Sequence, residues 1–215
     1  MSGTAKTPYW QFPTSDYKKA LIFFSPGLTF ADQGHNPQGV NAGAEGNGLR
    51  EQDVTYNVGV ILGQLLQNDP RFAVRLSRNS PNQVLGASNA TSLRARVNMA
   101  NTWPANYFIS IHCNANPNPA INGSEVYVYQ QGTQAYWLAQ HILNGVTQQT
   151  GTRDNGVRIN PSLYVLRRTA MPAVLVELGY LTNASDAEKL RSDQRGFAQG
   201  IYNGLLSYFG FAPLS

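Results

Sequence analysis

RVNMANTWPANYFISIHCNA, residues 96–115, places a helical segment directly before an apolar strand, and this succession predicts the fold. SLRARVNMANTW reads as a helix, and YFISIHC reads as a strand that ends in polar residues. Strands and helices alternate along the rest of the chain in the same way. The sequence therefore predicts a single α/β domain, with a mostly parallel or mixed twisted sheet and helices on both faces.

The spacing of apolar residues predicts the other elements. Residues 54–66 have helical spacing that ends at NDP, and apolar residues recur every four positions over 197–205. SDAE, Ser185 to Glu188, offers a capping box for a terminal helix. The remaining predictions are strands at ALIFF (20–24), RFAVRLSR (71–78), SEVYVYQ (124–130), SLYVLRRT (162–169) and PAVLVELGY (172–180), a helix at 134–150, a glycine-rich functional loop at 28–51, an irregular arm at 1–17 and one domain over 18–215.

Composition and charge narrow the classes of function. The chain has 215 residues, one cysteine and a net charge of +4. A single cysteine allows no internal disulfide, and no apolar stretch is long enough for a transmembrane segment. The basic charge favours an anionic partner such as a cell-wall polymer. No Lys/Arg run indicates nucleic acid, and the first residues lack the apolar core of a signal peptide.

His112 and Cys113 are neighbours at the end of a predicted strand, so they face opposite sides of the sheet. Ser110, His112 and Asn114 share one face. Cys113 is predicted to pack in the core, because a reactive thiolate needs an electropositive and exposed setting. His112 alone could equally be a hydrogen-bonded histidine under a loop.

Three further residues strengthen a metal-site interpretation of His112. His35 lies in the glycine-rich loop, and Glu51 opens the helix that follows, where a carboxylate suits the helix N-terminus with or without a metal. Glu177 ends the apolar strand PAVLVE, where a buried carboxylate is costly unless it is paired or faces a cleft. Since ligand sites lie at the carboxyl ends of strands, His112 and Glu177 are predicted to face one crevice.

Two histidines and two glutamates form a set that is suited to zinc hydrolysis. Three ligands hold Zn²⁺ and leave a fourth position for water, and a free carboxylate can move the proton. The HExxH pattern of a common metalloprotease helix is absent from the sequence. His141, beside Trp137 and Ile142 in a predicted helix, is interpreted as structural or exposed.

Three blocks resemble the catalytic domain of zinc-dependent N-acetylmuramoyl-L-alanine amidases of type 3. They are GAEGNGLREQD (43–53), RVNMANTWPANYFISIHCNA (96–115) and GVRINPSLYVLRRTAMPAVLVELGYLTN (156–183), in the family's order. The resemblance covers roughly residues 20–209. It implies that Glu51 and His112 bind zinc and that Glu177 is the catalytic carboxylate. The family's first ligand follows the first strand in a PGHGG-like turn.

The chain departs from that pattern, because LTFADQ separates SPG (25–27) from Gly34 and His35, and Asn36-Pro37 replaces glycines. His35 is the available ligand. Some relatives carry a long insert that plugs the active site. About thirty residues separate VYVYQ from LYVL here, which leaves no room for such a plug, so an active site that is open without an activator is expected.

The resemblance implies a peptidoglycan hydrolase that cleaves the amide between N-acetylmuramic acid and L-alanine at the bacterial cell wall. A monomer is expected. It would reach the wall by secretion, in the periplasm or by phage release, as an autolysin or an endolysin. Asn114, Arg96 and Tyr180 are candidate substrate contacts. Asn114 could instead be a turn residue, Arg96 could lie on a solvated helix face, and Tyr180 could pack. A zinc peptidase acting within the stem peptide and a non-catalytic wall-binding module are the alternative functions.

Overall fold

A computed structural model describes residues 27–214, and the predicted arm at 1–17 and strand at 20–24 lie outside them. The strands are β1 (Gly27–Asp32), β2 (Glu45–Gly46), β3 (Leu49–Arg50), β4 (Phe72–Leu76), β5 (Tyr107–Asn114), β6 (Ser124–Val128), β7 (Asp154–Ile159) and β8 (Ala173–Tyr180). The helices are α1 (Glu51–Gln67), α2 (Asn89–Thr102), α3 (Gln134–Thr150), α4 (Tyr164–Arg168), α5 (Ala184–Ser192) and α6 (Gln194–Phe209).

Six strands form one mixed sheet in the order β4-β1-β5-β8-β6-β7. β4, β1, β5 and β8 run parallel to one another, and β6 runs antiparallel to β8 and parallel to β7. The first residues of β6 therefore lie at the same edge of the sheet as the last residues of β1, β5 and β8. The predicted α/β class with a mostly parallel, mixed sheet is confirmed.

Each face of the sheet has its own apolar layer. On one face, Ile109, Ile111 and Cys113 of β5 join a core that is completed by α1, α3 and α6. On the other face, Phe30, Phe108 and Leu175 pack with residues of α2 and α4. The period-2 alternation of β5 separates these layers, and it places Ser110, His112 and Asn114 on the α2 side.

Helices α3 and α6 pack closely through glycines. A Cβ atom added to Gly204 would lie 2.5 Å from Cα of Ile142, and one added to Gly145 would lie 2.3 Å from the carbonyl oxygen of Gly200. Only residues without a side chain permit this approach of two backbones. In the described part of the chain, no helix has the length and apolarity needed to cross a membrane.

The structure corrects three predictions of local structure and adds one strand that was not predicted. SLYVLRRT does not form a strand but contains the short helix α4, and an unpredicted strand, β7, precedes it. The proposed loop at 28–51 begins with β1 and ends in the β2–β3 hairpin. The capping box at Ser185 is also wrong, because Asn183 caps α5 by accepting hydrogen bonds from the backbone N–H groups of Ser185 and Asp186.

Candidate metal centre

His35 is placed by the turn that directly follows β1. The strand ends at Asp32, and Gly34 has a positive φ of 52°. A Cβ on Gly34 would lie 2.5 Å from the carbonyl oxygen of Ile111, so the turn needs glycine in order to approach β5. Asp32 to His35 thus forms a histidine turn directly after a first strand. LTFADQ, which the sequence analysis placed between the first strand and His35, therefore belongs to β1 and to the start of this turn.

Glu51 is the first residue of α1 and is 4% exposed. Its Oε2 accepts a hydrogen bond from the N–H of Ala44 at 2.9 Å, and its Oε1 accepts one from the N–H of Cys113 at 3.0 Å. Both oxygens thus accept a backbone N–H group, and such hydrogen bonds favour the ionised form. Glu51 is therefore a fixed carboxylate.

His35, Glu51 and His112 converge on one point. The Nε2 atom of His35 lies 2.9 Å from Oε1 of Glu51 and 3.1 Å from Nδ1 of His112, and that Nδ1 lies 3.1 Å from the same Oε1. Ligands at about 2.0–2.1 Å from a tetrahedral Zn²⁺ stand roughly 3.3 Å apart. The triangle is slightly smaller than one face of such a tetrahedron, and the three residues form a group that could hold a metal ion.

The partners of His35 support the same conclusion. Its Nδ1 lies 3.0 Å from the carbonyl oxygen of Asn41. A carbonyl only accepts, so Nδ1 carries the proton of the neutral ring and Nε2 presents a lone pair to the centre. Metal-binding histidines are commonly oriented by a hydrogen bond from the second ring nitrogen to a carbonyl oxygen. His35 has this arrangement. This donor set fits a cation at the centre of the triangle.

Glu177 lies beside this group. It is the register partner of His112 across β5 and β8 and of Glu125 across β8 and β6. Its Oε2 is buried and has no hydrogen-bond partner among the described residues. Burial, and then the negative charges of Glu51 and Glu125, raise the pKa of Glu177 well above its ordinary value. A carboxyl with a raised pKa and a free oxygen is suited to proton transfer near neutral pH.

Glu125 is a further glutamate beside Glu177, and the sequence analysis did not identify it. It is 3% exposed, and its Oε1 accepts hydrogen bonds from Nδ2 of Asn114 at 2.8 Å, from the hydroxyl of Tyr127 at 2.9 Å and from the hydroxyl of Tyr180 at 3.2 Å. Its Oε2 lies 3.3 Å from Nε of Arg158. The signal was present as a glutamate in the alternating strand SEVYV, but its relevance depends on β6 running antiparallel to β8.

Asn114 and Tyr180, the candidate substrate contacts, are thus both tied to Glu125. Tyr180 is 7% exposed, so its ring has little surface on which a sugar could stack. Burial and the nearby Glu125 carboxylate raise the pKa of Tyr180 to about 12, so its hydroxyl stays protonated and donates. The structure favours the packing interpretation of Tyr180.

Arg96 is not on a solvated helix face, and that prediction is wrong. The side chain is fully buried and pairs with Asp32, so it has no surface to offer to a substrate. The prediction failed because an arginine in a polar helix is usually exposed, and the sequence does not show that Asp32 ends a buried strand opposite it.

The predictions for Cys113 and His141 agree with the structure. Cys113 is 3% exposed and its thiol, whose pKa burial raises well above the ordinary value, is shielded in the core. His141 is partly buried between α3 and α6, and its Nδ1 lies 2.9 Å from the hydroxyl of Ser207. The Cys113 thiol and the His141 ring are therefore not part of the converging group, although the backbone N–H of Cys113 bonds to Glu51.

A sequence profile of the N-acetylmuramoyl-L-alanine amidases matches residues 30–207. The chain is 38% identical to the amidase LytC of Bacillus subtilis, over 84% of this chain and 35% of LytC. It is 37% identical to the amidase CwlM of Bacillus licheniformis, over 85% of this chain and 69% of CwlM. The chain thus spans about a third of one relative and about two thirds of the other.

The fold resembles the catalytic domain of the N-acetylmuramoyl-L-alanine amidase CwlV from Bacillus (Paenibacillus) polymyxa var. colistinus. The TM-score is 0.75 at 31% identity, and the match covers 86% of this chain and 98% of that domain. Residues 30–207, which the family profile matches, include His35, Glu51, His112, Glu125 and Glu177.

Proposed function

The chain belongs to the N-acetylmuramoyl-L-alanine amidase family, and from this membership we propose that it is a zinc-dependent hydrolase of peptidoglycan. It cleaves the amide between the lactyl carbonyl of N-acetylmuramic acid and the amino group of L-alanine in the stem peptide. On this proposal the enzyme acts at the bacterial cell wall, because its substrate is there.

One observation carries the proposal: a free carboxylate oxygen lies beside a converging His-Glu-His triangle. His35, Glu51 and His112 would hold the ion, with ligand atoms 2.9–3.1 Å apart. When bound, Zn²⁺ supplies Lewis acidity, which polarises a carbonyl and acidifies water. Two imidazoles and one carboxylate are the donors of several catalytic zinc sites, which supports zinc over magnesium or calcium, since those ions prefer oxygen donors.

Glu177 moves the proton. Its Oε2 accepts a proton from the attacking water, and the oxygen of that water adds to the carbonyl carbon of the scissile amide. The same carboxyl then donates the proton to the amide nitrogen, which leaves as the amino group of L-alanine. The raised pKa of Glu177 suits both halves of this transfer, because the group must take a proton and then release it.

Digestion of purified peptidoglycan, with products identified by mass spectrometry, tests the proposal. We expect free stem peptides that begin at L-alanine and an intact glycan, with activity lost in chelator and restored by Zn²⁺. Shortened peptides still attached to sugar would instead establish a peptidase. Absence of product from several wall types, by zinc-loaded and folded protein, would contradict the hydrolase and favour a wall-binding module.

A further inference from the structure

A buried polar chain runs from His112 away from the metal centre. Nε2 of His112 lies 3.1 Å from Oγ of Ser110, and that oxygen lies 2.7 Å from Oδ2 of Asp32. The other oxygen of Asp32 accepts a hydrogen bond from Arg96. Asp32, Ser110 and Arg96 are all fully buried, so no solvent competes for these contacts.

The chemistry of the partners fixes every proton along this chain. Arg96 only donates and stays charged, so Asp32 is its carboxylate counterion and only accepts. The single hydrogen of the Ser110 hydroxyl is therefore directed to Asp32, at a short distance typical of a charge-assisted bond. Oγ of Ser110 is left as an acceptor towards His112, so Nε2 of His112 must carry the ring proton.

The consequence appears at the opposite nitrogen of the ring. With its proton on Nε2, the neutral imidazole of His112 presents a lone pair at Nδ1, which faces Glu51 and His35. With the proton on Nδ1, the ring would instead donate to Glu51, and this nitrogen could not bind a cation at the centre. The direction of one buried hydroxyl thus determines whether His112 can act as a ligand.

We propose that Ser110 and Asp32 are a positioning pair that holds His112 in the Nε2–H tautomer and so prepares the metal site before any ion binds. The inference rests on the proposed function only in taking a metal ion as the ligand of the site. Arg96 holds Asp32 in place, which gives a role to a buried arginine that contacts neither the His35–Glu51–His112 triangle nor solvent.

Long-range ¹H–¹⁵N correlation spectra of the zinc-free protein test the proposal. The spectra are recorded at about pH 8.5, on the basic side of the free-imidazole pKa of about 6.5. The chain has three histidines, so His35→Ala and His141→Ala spectra assign the signals of His112. We expect the ¹⁵N shifts of the Nε2–H tautomer in the wild type and a shift towards the Nδ1–H tautomer in Ser110→Ala.

Ser124→Ala is the matched control. Ser124 is an equally buried serine on the neighbouring part of the sheet, and its hydroxyl bonds to the carbonyl of Leu178 and to Thr152 instead of to a histidine. A role of Ser110 in core packing alone would give both serine variants the same, unchanged tautomer. The positioning role predicts a change in Ser110→Ala only.

Zinc affinity, measured by competition with a chromophoric chelator, is the second readout. Loss of outer partners of metal ligands typically weakens binding by about 10–100-fold, and we expect that range for Ser110→Ala and wild-type affinity for Ser124→Ala. Asp32→Asn, checked for folding by circular dichroism, should change the His112 tautomer as well, because its amide can redirect the Ser110 hydroxyl.

The outcomes separate this inference from the proposed function. An Nδ1–H tautomer in the wild type, or unchanged tautomer and zinc affinity in Ser110→Ala, would overturn the positioning pair. A protein that binds zinc and shows the expected tautomers, yet releases no L-alanine peptide from peptidoglycan, would contradict the amidase and leave the positioning pair intact.

Discussion

Glu177 differs from the neighbouring carboxylates of Glu51 and Glu125 in the number of hydrogen-bond donors that its oxygens receive. Glu51 receives two backbone N–H groups, and Glu125 receives an amide, two phenols and a guanidinium. One oxygen of Glu177 receives nothing from the described residues. Carboxylates that hold structure are saturated with donors, whereas one that exchanges a proton keeps an oxygen free.

Glu177→Gln should remove hydrolysis while leaving the metal centre intact. The amide keeps the size of the side chain but cannot accept and return a proton, so activity should fall by about 10²–10⁴-fold. The measurement is the rate of release of L-alanine peptides, with zinc content determined on the same sample. If the variant lost zinc in proportion to activity, Glu177 would be a ligand rather than the proton carrier.

The meeting of His35, Glu51 and His112 beside Glu177 could be predicted at this scale, because histidine is rare in the chain and a glutamate stands out in an apolar strand. Asp32, Ser110 and Glu125 could not. Each is an ordinary polar residue in sequence, and its role depends on which strands become neighbours. Ser110 meets Asp32 because β5 pairs with β1. Glu125 lies beside Glu177 because β6 pairs antiparallel with β8.

Among the elements, the α3–α6 pair depends most on single residues. The glycine contact brings backbone against backbone, so an added methyl group meets atoms that cannot rotate away. Flexible side chains could move out of the way, but the Cα of Ile142 cannot. The contact holds together two helices that cover the same face of the sheet.

Gly204→Ala should destabilise the protein although alanine is the better helix former. The propensity gain of about 1 kcal/mol is opposed by overpacking that typically costs about 1–3 kcal/mol, and the steric term should dominate at a 2.5 Å approach. Urea denaturation measures the change in the free energy of unfolding. Gln140→Ala, at an exposed position of α3, is the control and should lie within about 0.5 kcal/mol of wild type.

Asp69 links the start of β4 to α6. Its carboxylate is buried, pairs with Arg71 and accepts a hydrogen bond from the hydroxyl of Tyr202 at 2.7 Å. Burial alone would raise the pKa of Asp69, but the hydrogen bonds from Arg71 and Tyr202 lower it below its ordinary value. The carboxylate therefore stabilises the fold above the unfolded-state pKa, about 3.9, and this contribution is lost as the pH falls through the lower folded pKa.

Asp69→Asn should consequently cost about 1–3 kcal/mol of stability at pH 7, with a smaller difference from wild type in acid. Urea denaturation at pH 7 and at about pH 3, with chelator in both samples so that the metal site adds nothing, measures the two differences. A gap between wild type and variant that widens in acid would show that the carboxylate does not stabilise as its anion.

At the same scale, α4 shows where sequence patterns fail. LYVL is a four-residue apolar run, which fits a buried strand and a buried helical turn equally well. The segment forms a helix, and this helix buries Val165 and Leu166 together against α2. The long helices and β5 carry enough periods to be predicted, whereas five residues do not.

Across the whole molecule, the metal centre ties together segments that are distant in sequence. His35 follows β1, Glu51 begins α1 and His112 lies in β5, so an ion at the triangle would join three elements. Ligands that bind only the folded state stabilise it by a free energy that grows with the logarithm of the ratio of ligand concentration to Kd. The metal should therefore contribute to stability as well as to chemistry.

Zinc should raise the melting temperature of the protein, and chelator should lower it. At a free ion concentration 100 times the Kd, the linkage is worth about 2.7 kcal/mol, which is several degrees for a chain of this size. Differential scanning calorimetry measures the shift. His112→Ala should melt at the same temperature with and without zinc, and a zinc-induced shift of similar size in that variant would place the ion elsewhere.

The order of the site residues along the chain has a consequence for biosynthesis. The three residues of the metal triangle all precede residue 113, whereas Glu125 and Glu177 come later, on β6 and β8. Synthesis proceeds from the amino end, so a nascent chain contains all three candidate ligands before it contains Glu177, the proposed proton carrier. On the proposed function, an incomplete chain that captured zinc could not yet cut the wall polymer, and activity would require that synthesis has passed β8.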